Sequence, residues 1–536
     1  MNKKYLILII IVLIAIIGFY IFFNSNNVFV NNSISINANA LDERGNLTVN
    51  GSNQEVTNGL YSTDSSDANT LFVGNSGILK ITGSIINKTG DTKSSGDDAD
   101  FYGVNSAVLV KDSAKVNVEN CEINTDSKGS NGIFATNTNN EAQASPMGGN
   151  PDGQMGDDKN SNDNGNPPQK PPEESSGNSS GGNAQQSEKP PEQSSDNNNG
   201  GNAQPPEKPS DDSSGNSSGG NAQQPDKPQE NSVNNNGGEI TEANVKNVKI
   251  TTYQDKSRGL DATFGGVITA DNVEINTRGG SCAAIATDRG DGNVTVTNSL
   301  LNTGVDKNNG LGSPLIYSTG NITVSNSKGT SNVAQIACIE GKNSISLNNC
   351  DFNCFAEGNR KDGDNYVDLG GIFIYQSMSG DADVGTSLFD CENSVLSIDK
   401  SSDYYSKAPM FYITNTKANI NLKSSTFNFG SGILFDISGQ NQWGNEGSNG
   451  GDVNLTTTDE DLKGNINVDS ISSLNFNLKS TSFEGAINST GNTSVVIDEG
   501  SSWSLTEDSN ITSLDNHGSV NLNGHTLLVN GESFKN

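Results

Sequence analysis

The chain has 536 residues, of which 31% are hydrophobic and 60 are Gly, a composition that is poor for a compact enzyme and suits a thin repetitive structure. Its 32 Lys and Arg stand against 63 Asp and Glu, which gives a formal net charge of −31 at pH 7. This charge argues against nucleic acid as a partner, because phosphates need basic contacts, and against adsorption to anionic lipid.

Residues 1–23 predict a membrane anchor. Lys3 and Lys4 precede an apolar run from Tyr5 to Phe23 that is long enough to span a bilayer as a helix. The lysines should stay in the cytoplasm, so we expect a single-pass protein of the cell membrane with an extracellular C-terminal region. Ala38-Asn39-Ala40 resembles a small-residue cleavage site, but it lies far beyond the apolar run, which favours an uncleaved signal anchor.

A stretch with alternating apolar residues then recurs almost to the C-terminus. Apolar residues are expected four and two positions before a central Asn, and one and three positions after it. The clear copies centre on Asn120, Asn247, Asn272, Asn298, Asn326 and Asn349. From Asn247 onward the intervals are 25, 26, 28 and 23 residues, a spacing typical of a solenoid. Fainter copies centre on Gly83, Asn393, Ser424, Ser480 and Gly524.

The alternation changes phase at the central Asn, which a straight strand cannot do. The chain must bend there, and Asn tolerates the left-handed backbone that such a bend needs. We therefore predict that the six central Asn residues stack on one another as a corner ladder.

These patterns divide the chain into five parts. After the anchor, residues 24–70 are Asn- and Ser-rich and predict a tether and an N-terminal cap, and residues 71–136 form the first coils. Residues 137–238 hold 13 of the 15 Pro among Gly, Ser, Asn and Gln, which predicts a disordered insertion. The repeat resumes afterwards, so the insertion is expected in a loop between coils, and residues 239–536 form the main solenoid with a C-terminal cap.

The Asn-centred copies, together with residues 377–383 and 447–453, resemble right-handed parallel β-helix proteins of the pectin-lyase-like and adhesin-like type. Many of these are large bacterial surface proteins that are largely uncharacterised. The resemblance implies an all-β, right-handed parallel β-helix solenoid. It leaves the activity open, because the superfamily includes polysaccharide lyases, hydrolases and passive binders.

Catalytic residues are not evident from the sequence, and we expect no enzyme. A lyase would need carboxylates and a basic residue at the same phase of adjacent coils. Counted from the central Asn of each coil, Arg258, Asp261 and Asp288 fall at positions 11, 14 and 16, which does not predict a clean stack.

Four acidic residues are candidate calcium ligands: Asp381, Asp383, Asp362 and Asp364. Asp381 and Asp383 could alternatively be the acid pair of a hydrolase or belong to a solvated turn. The six Cys are interpreted as small buried hydrophobes, although one disulfide between neighbouring coils stays open.

Sugar binding would use exposed aromatic rings, for which Trp443, Tyr404, Tyr405 and Tyr375 are candidates, although each could equally serve the core or anchor a loop. Ladders of Asn, Thr and Ser could bind glycans through amides and hydroxyls instead. The leading hypothesis is a membrane-anchored, adhesin-like or carbohydrate-binding protein without catalysis, with cell-wall or extracellular glycans as partners. A polysaccharide lyase or hydrolase on the same fold and a structural spacer are the alternatives.

Overall fold

The computed structural model describes residues 36–94, 96–137, 240–307 and 310–535. The predicted anchor at 1–23 and nearly all of the predicted insertion at 137–238 lie outside these ranges. In the part that is described, no helix is long and apolar enough to cross a membrane.

The described strands form an all-β solenoid with two long parallel sheets. Sheet 1 has 23 strands, which are Asp42–Arg44, Asn53–Thr57, Gly59–Thr63, Ile78–Thr82, Ile85–Thr89, Lys115–Glu119, Glu122–Asp126, Glu242–Thr252, Val267–Thr277, Asn293–Thr297, Leu300–Thr303, Asn321–Ser325, Lys328–Ser331, Ser344–Asn348, Asp351–Cys354, Thr386–Glu392, Val395–Ile398, Thr416–Lys423, Thr426–Asn428, Gly451–Thr458, Ser473–Lys479, Asn492–Ile497 and Ser513–Asn516.

Sheet 2 has 16 strands, which are Leu47–Asn50, Leu71–Gly74, Val108–Lys111, Ile133–Thr136, Leu260–Thr263, Ile285–Thr287, Ile316–Ser318, Ala337–Glu340, Ile372–Tyr375, Phe411–Thr414, Ile433–Ile437, Asn465–Val468, Ile487–Ser489, Ser509–Ile511, Leu527–Val529 and Glu532–Ser533. Sheet 3, confined to the last coils, contains Asp461–Lys463, Ser482–Glu484, Ser502–Ser504 and Ser519–Asn521. The last strand of sheet 2 pairs antiparallel with its neighbour and so covers one edge of the final coil.

The short elements lie outside these sheets. The hairpin Lys361–Asp362 and Asn365–Tyr366 occupies a long loop between two coils. The helices are Gly96–Tyr102 and two 3-10 turns, Ala38–Ala40 and Val305–Lys307.

In most coils the chain runs through a strand of sheet 1, a corner, a second strand of sheet 1 and a strand of sheet 2. In the last coils the strand after the corner belongs to sheet 3. The predicted alternation fills the tube: Val116, Val118, Cys121 and Ile123 are at most 1% exposed. The six Cys are buried and unpaired, as expected of small hydrophobes. The right-handed sense of the winding stays a prediction.

The parallel strands begin at Asp42, earlier than the first coil that the sequence predicts at residue 71. The first corner is Asn58, at φ 53°. Alternation is weak in this coil because Gly59 stands at the inward position where the clear copies have Val, Cys or Ser.

The predicted insertion leaves the solenoid and returns to it at one place. Strand Ile133–Thr136 pairs with Leu260–Thr263, so the coils on either side of the insertion are direct neighbours. The Thr241 amide donates to Asn137 Oδ1 at 3.1 Å. The described residues that flank 138–239 therefore lie side by side.

Candidate functional site

Two rows of side chains point outward from sheet 2 and are nevertheless buried. Alternate residues of a strand face opposite sides, so Ile372 and Ile374 pack in the tube while Phe373 and Tyr375 belong to a separate cluster outside it. The strand register forms the first row from Phe134, Asp261, Ala286, Tyr317, Cys338 and Phe373. The second row, two residues further along each strand, includes Thr263, Asp288, Glu340 and Tyr375.

Arg258 connects this outer face to the helix Gly96–Tyr102. Its Nη1 lies 2.5 Å from Asp100 Oδ1 on the helix, and its Nη2 lies 2.7 Å from Asp288 Oδ2. Asp288 in turn donates its backbone N–H to Asp261 Oδ1 at 3.3 Å. We call these four residues the Arg258 cluster. It fixes the helix over sheet 2.

Burial sets the protonation states in the Arg258 cluster. It raises the pKa of Asp261 well above its ordinary value, and the neighbouring Asp288 raises it further. Burial also raises the pKa of Asp288 to about 6, although Arg258 opposes this effect. Burial would lower the pKa of Arg258, but Asp288 and Asp100 outweigh it and raise that pKa. The pair of aspartates therefore holds a proton more strongly than two isolated carboxyl groups would.

A second polar cluster surrounds Glu340. Its Oε2 accepts hydrogen bonds from the hydroxyls of Tyr317 at 2.8 Å and Tyr375 at 3.0 Å. Its Oε1 accepts from Ser377 and, at 3.4 Å, from Ser379. Burial raises the pKa of both tyrosines well above the ordinary value, and the neighbouring Glu340 raises it further. The four hydroxyls hold the segment that follows Tyr375 against the sheet.

The acidic residues predicted to bind calcium fall in two separate loops. Asp381 and Asp383 follow Ser379, and Asp383 Oδ2 lies 2.8 Å from Lys342 Nζ. Asp362 and Asp364 are exposed at the hairpin described above. Among the described residues, no group of three or more His, Cys, Asp or Glu is arranged to hold a metal ion. Calcium binding stays a prediction.

The aromatic candidates pack against the protein. Trp443 and Tyr375 are 2% and 9% exposed, and both contact Phe373 on the outer face of sheet 2. Tyr404 and Tyr405 are partly buried against the main core, and the Tyr404 hydroxyl donates to Glu357 Oε1 at 3.3 Å. Trp443 and Tyr375 thus lack the open ring face that sugar stacking needs. A ligand contact of these four residues stays a prediction.

The corner residues adopt the left-handed backbone that the phase change requires. All six central Asn residues have φ between 50° and 54°. Asn247 Nδ2 donates to Asn120 Oδ1 at 3.0 Å, Asn272 to Asn247 at 2.8 Å, and Asn349 to Asn326 at 2.9 Å. Asn298 departs from this chain of bonds, because its amide donates to Asp271 Oδ1 at 2.7 Å.

The outward face of sheet 1 carries a second polar row, four residues after each corner. Every member is Asn, Ser or Thr, and we call the row the outer ladder. Its members are Ser62, Asn87, Asn124, Thr251, Asn276, Asn302, Thr330, Asn353, Ser397 and Asn428. Neighbouring side chains are bonded in places, for example Asn302 Nδ2 to Asn276 Oδ1 at 3.0 Å. Most members are partly exposed.

The structure corrects the expectation that Arg258, Asp261 and Asp288 do not stack. Positions 14 and 16 after the corner differ by two, so both aspartates lie on the same face of adjacent strands. An equal distance in sequence from the central Asn is therefore the wrong criterion for side chains that meet. The alternation of faces along a strand would have predicted that the two aspartates lie together. The contribution of Asp100 from a seven-residue helix carries no comparable signal in the sequence.

The geometry of the Arg258 cluster suits anchoring better than hydrolysis. Asp261 and Asp288 adjoin each other closely, since the Asp288 backbone N–H donates to Asp261 Oδ1 at 3.3 Å. Glycosidase carboxyl pairs stand about 5 to 9.5 Å apart to leave room for the sugar or for water. Both aspartates are at most 4% exposed, and the guanidinium is already occupied by two carboxylates.

The fold and these surfaces define a parallel β-solenoid with a buried polar layer on one sheet and an open polar face on the other. Neither a family model, nor a curated protein, nor a solved structure matches the chain.

Proposed function

We propose that this protein is a non-catalytic, adhesin-like solenoid that binds extended glycans along the outer face of sheet 1. The outer ladder is the observation that carries this proposal. It offers one amide or hydroxyl per coil at the strand spacing of about 4.8 Å, which is close to the length of one sugar unit in an extended chain. A linear polysaccharide lying along the solenoid axis could thus meet a polar side chain at each unit.

The hydrogen-bonding capacity of the outer ladder supports this reading. An Asn side chain has two donor hydrogens and an oxygen with two lone pairs, and a hydroxyl both donates and accepts. The bond from Asn302 to Asn276 uses one donor and one lone pair, so both side chains keep further capacity. Polar contacts, rather than aromatic stacking, would therefore provide the recognition.

The proposed location follows from the N-terminal sequence. The apolar run from Tyr5 to Phe23, preceded by two lysines, supports a membrane anchor that leaves the solenoid outside the cell. A pectin-lyase-like ancestry and right-handed winding belong to the same proposal. Calcium, if bound by the acidic loops, would stabilise them rather than take part in chemistry.

The second candidate is a polysaccharide lyase or hydrolase. Its support is the meeting of Arg258, Asp261 and Asp288 on one face, since such enzymes take their groups from adjacent coils. Because the two aspartates are buried and in contact with each other, the structure supports this candidate less well than glycan binding.

The test is binding of the purified full-length chain, kept in mild detergent, to an array of glycans in calcium or in EDTA. Reducing ends and the absorbance of unsaturated uronates are followed in parallel. We expect retention of at least one extended glycan without any product. Product formation would establish the enzyme instead, and a chain that retains no glycan would be a spacer.

A further inference from the structure

The outward face of sheet 1 changes character in its middle coils. Before the corners of Asn298, Asn326 and Asn349, three outward positions per strand hold only Asn, Ser or Thr. We call these nine residues the central patch: Asn293, Thr295, Thr297, Asn321, Thr323, Ser325, Ser344, Ser346 and Asn348. They form three rows of three, aligned strand by strand.

The central patch is bounded by charge on both sides. The preceding coil places Asp271 beside Thr297, and the following coil places Asp390 and Glu392 beside Ser346 and Asn348. On a chain with a net charge of −31, the nine positions of the central patch hold no charged residue. Acidic residues at its borders would repel a polyanion that extends beyond it.

The side chains of the central patch are available to a ligand. Thr295, Thr323 and Asn348 are exposed, and the other six are partly exposed. Hydrogen bonds inside the patch, such as Ser344 Oγ to Asn321 Oδ1 at 2.8 Å, align neighbouring side chains and leave them further hydrogen-bonding capacity. The rows repeat at about 4.8 Å, like the outer ladder of the same sheet.

We infer that the central patch contacts the glycan together with the outer ladder on the other side of the corners, and that the ligand is an uncharged, extended polysaccharide rather than a polyuronate. This inference rests on the proposed function and names its site and its substrate class. Hydroxyl-rich neutral chains match a surface of amides and hydroxyls. A carboxylate on each sugar would meet the acidic borders, and Lys342 beside the patch is already paired with Asp291 and Asp383.

The test replaces a stacked pair inside the central patch by a charged pair. Thr295→Lys with Thr323→Glu places opposite charges on facing residues, an arrangement that the fold already contains in the same row, where Lys80 Nζ lies 2.9 Å from Glu55 Oε1. The matched control is Asn117→Lys with Asn244→Glu, a facing pair of that row outside the patch. Circular dichroism and thermal melting of all three full-length proteins verify that they fold.

Binding is measured by affinity electrophoresis in soluble neutral β-glucan, mannan and xylan, and in polygalacturonate and alginate. We expect the wild type and the control to bind a neutral polymer, and the patch variant to bind at least tenfold more weakly. Binding to the uronates alone, or neutral binding that the patch variant keeps, would overturn the inference while leaving glycan binding in place. Absence of binding to all five polymers and to the array would overturn the proposed function as well.

Discussion

At the scale of single residues, the corner shows how a side chain selects the path of the backbone. Asn272 has φ 52°, a region that costs most L-residues about 1–2 kcal/mol and that Asn and Gly occupy more readily. Gly83 takes the equivalent corner in an earlier coil, at φ 62°. The choice of residue at the corner is therefore determined mainly by the backbone conformation, and less by the hydrogen bonds between stacked amides.

This division predicts the order of two variants. Asn272→Gly should lose only the hydrogen bonds of the corner ladder, about 1 kcal/mol, because glycine accepts the positive φ. Asn272→Ala should lose about 1 kcal/mol more through backbone strain. The free energies of unfolding in denaturant give both values. Equal destabilisation by the two substitutions would show that the backbone conformation is not the main constraint.

Glu460 explains why one coil escaped the sequence analysis. The corner of that coil is Asp459, and Glu460 occupies the inward position where most other coils have Ser, Cys, Thr or Val. Its side chain accepts the Ser425 N–H at 2.9 Å, while Oε2 has no hydrogen-bond partner. Burial raises the pKa of Glu460 to about 7.

A raised carboxyl pKa favours the folded state at low pH. Below about pH 4 Glu460 is protonated in both states, and this advantage is lost as the pH rises through 7. Relative to the wild type, Glu460→Gln should therefore gain about 2 kcal/mol of unfolding free energy between pH 5 and pH 8.5. The control is Glu484→Gln, which removes the charge of a half-exposed glutamate instead of a buried one. A constant difference for Glu460→Gln would contradict the raised pKa.

At the scale of secondary-structure elements, the helix Gly96–Tyr102 depends on contacts with the solenoid. A seven-residue helix is too short to be stable alone. Besides Arg258, the Thr263 hydroxyl bonds to the carbonyl of Phe101 at 2.9 Å, and Tyr102 stacks on Phe264. The polar layer on sheet 2 thus acts as a set of anchors for covering segments.

Removing the guanidinium should release this helix. Arg258→Leu leaves Asp288 without its cation and Asp100 with only the longer pair to Lys256 at 3.4 Å. Loss of one partner of a buried ion pair costs about 3–5 kcal/mol. Arg278→Leu is the matched control, because its pair with Asp306 is half-exposed and should contribute less than about 1 kcal/mol. Hydrogen exchange should show lost protection at residues 96–102 only in the first variant. Equal effects of the two substitutions would refute the anchoring role.

The strands were the predictable elements, and their coverings were not. Apolar alternation of period two and the Asn-marked phase change determine sheet 1 directly from sequence. The buried outer face of sheet 2 depends on loops of unequal length, whose contacts arise only after the coils have stacked. Tyr375 and Trp443 therefore look like exposed candidates in the sequence, although they pack together at 5.6 Å between ring centroids.

At the scale of the whole molecule, the repeat tolerates a long interruption because each coil contacts only its neighbours. Asn117 and Asn244 are 127 residues apart in the chain, yet they face each other on adjacent strands. The unequal coil lengths likewise enter as loops, such as the hairpin between the coils of Asn349 and Asn393. The architecture could be predicted from the sequence because stacking imposes the same pattern of apolar alternation on every coil. No repeated pattern identifies the residues that would bind a ligand.

Pulsed electron-electron distances between spin labels test this account most directly. In one full-length protein the labels are placed at Asn117→Cys and Asn421→Cys, and in a second at Asn244→Cys and Asn421→Cys. The register separates these pairs by seven and six strand spacings, or about 33 and 29 Å between backbones. We predict two narrow distributions that differ by about one strand spacing, despite the 127 additional residues of chain. Broad distributions, or a first distance that exceeds the second by tens of ångströms, would contradict the stacked solenoid and with it the axial glycan-binding surface.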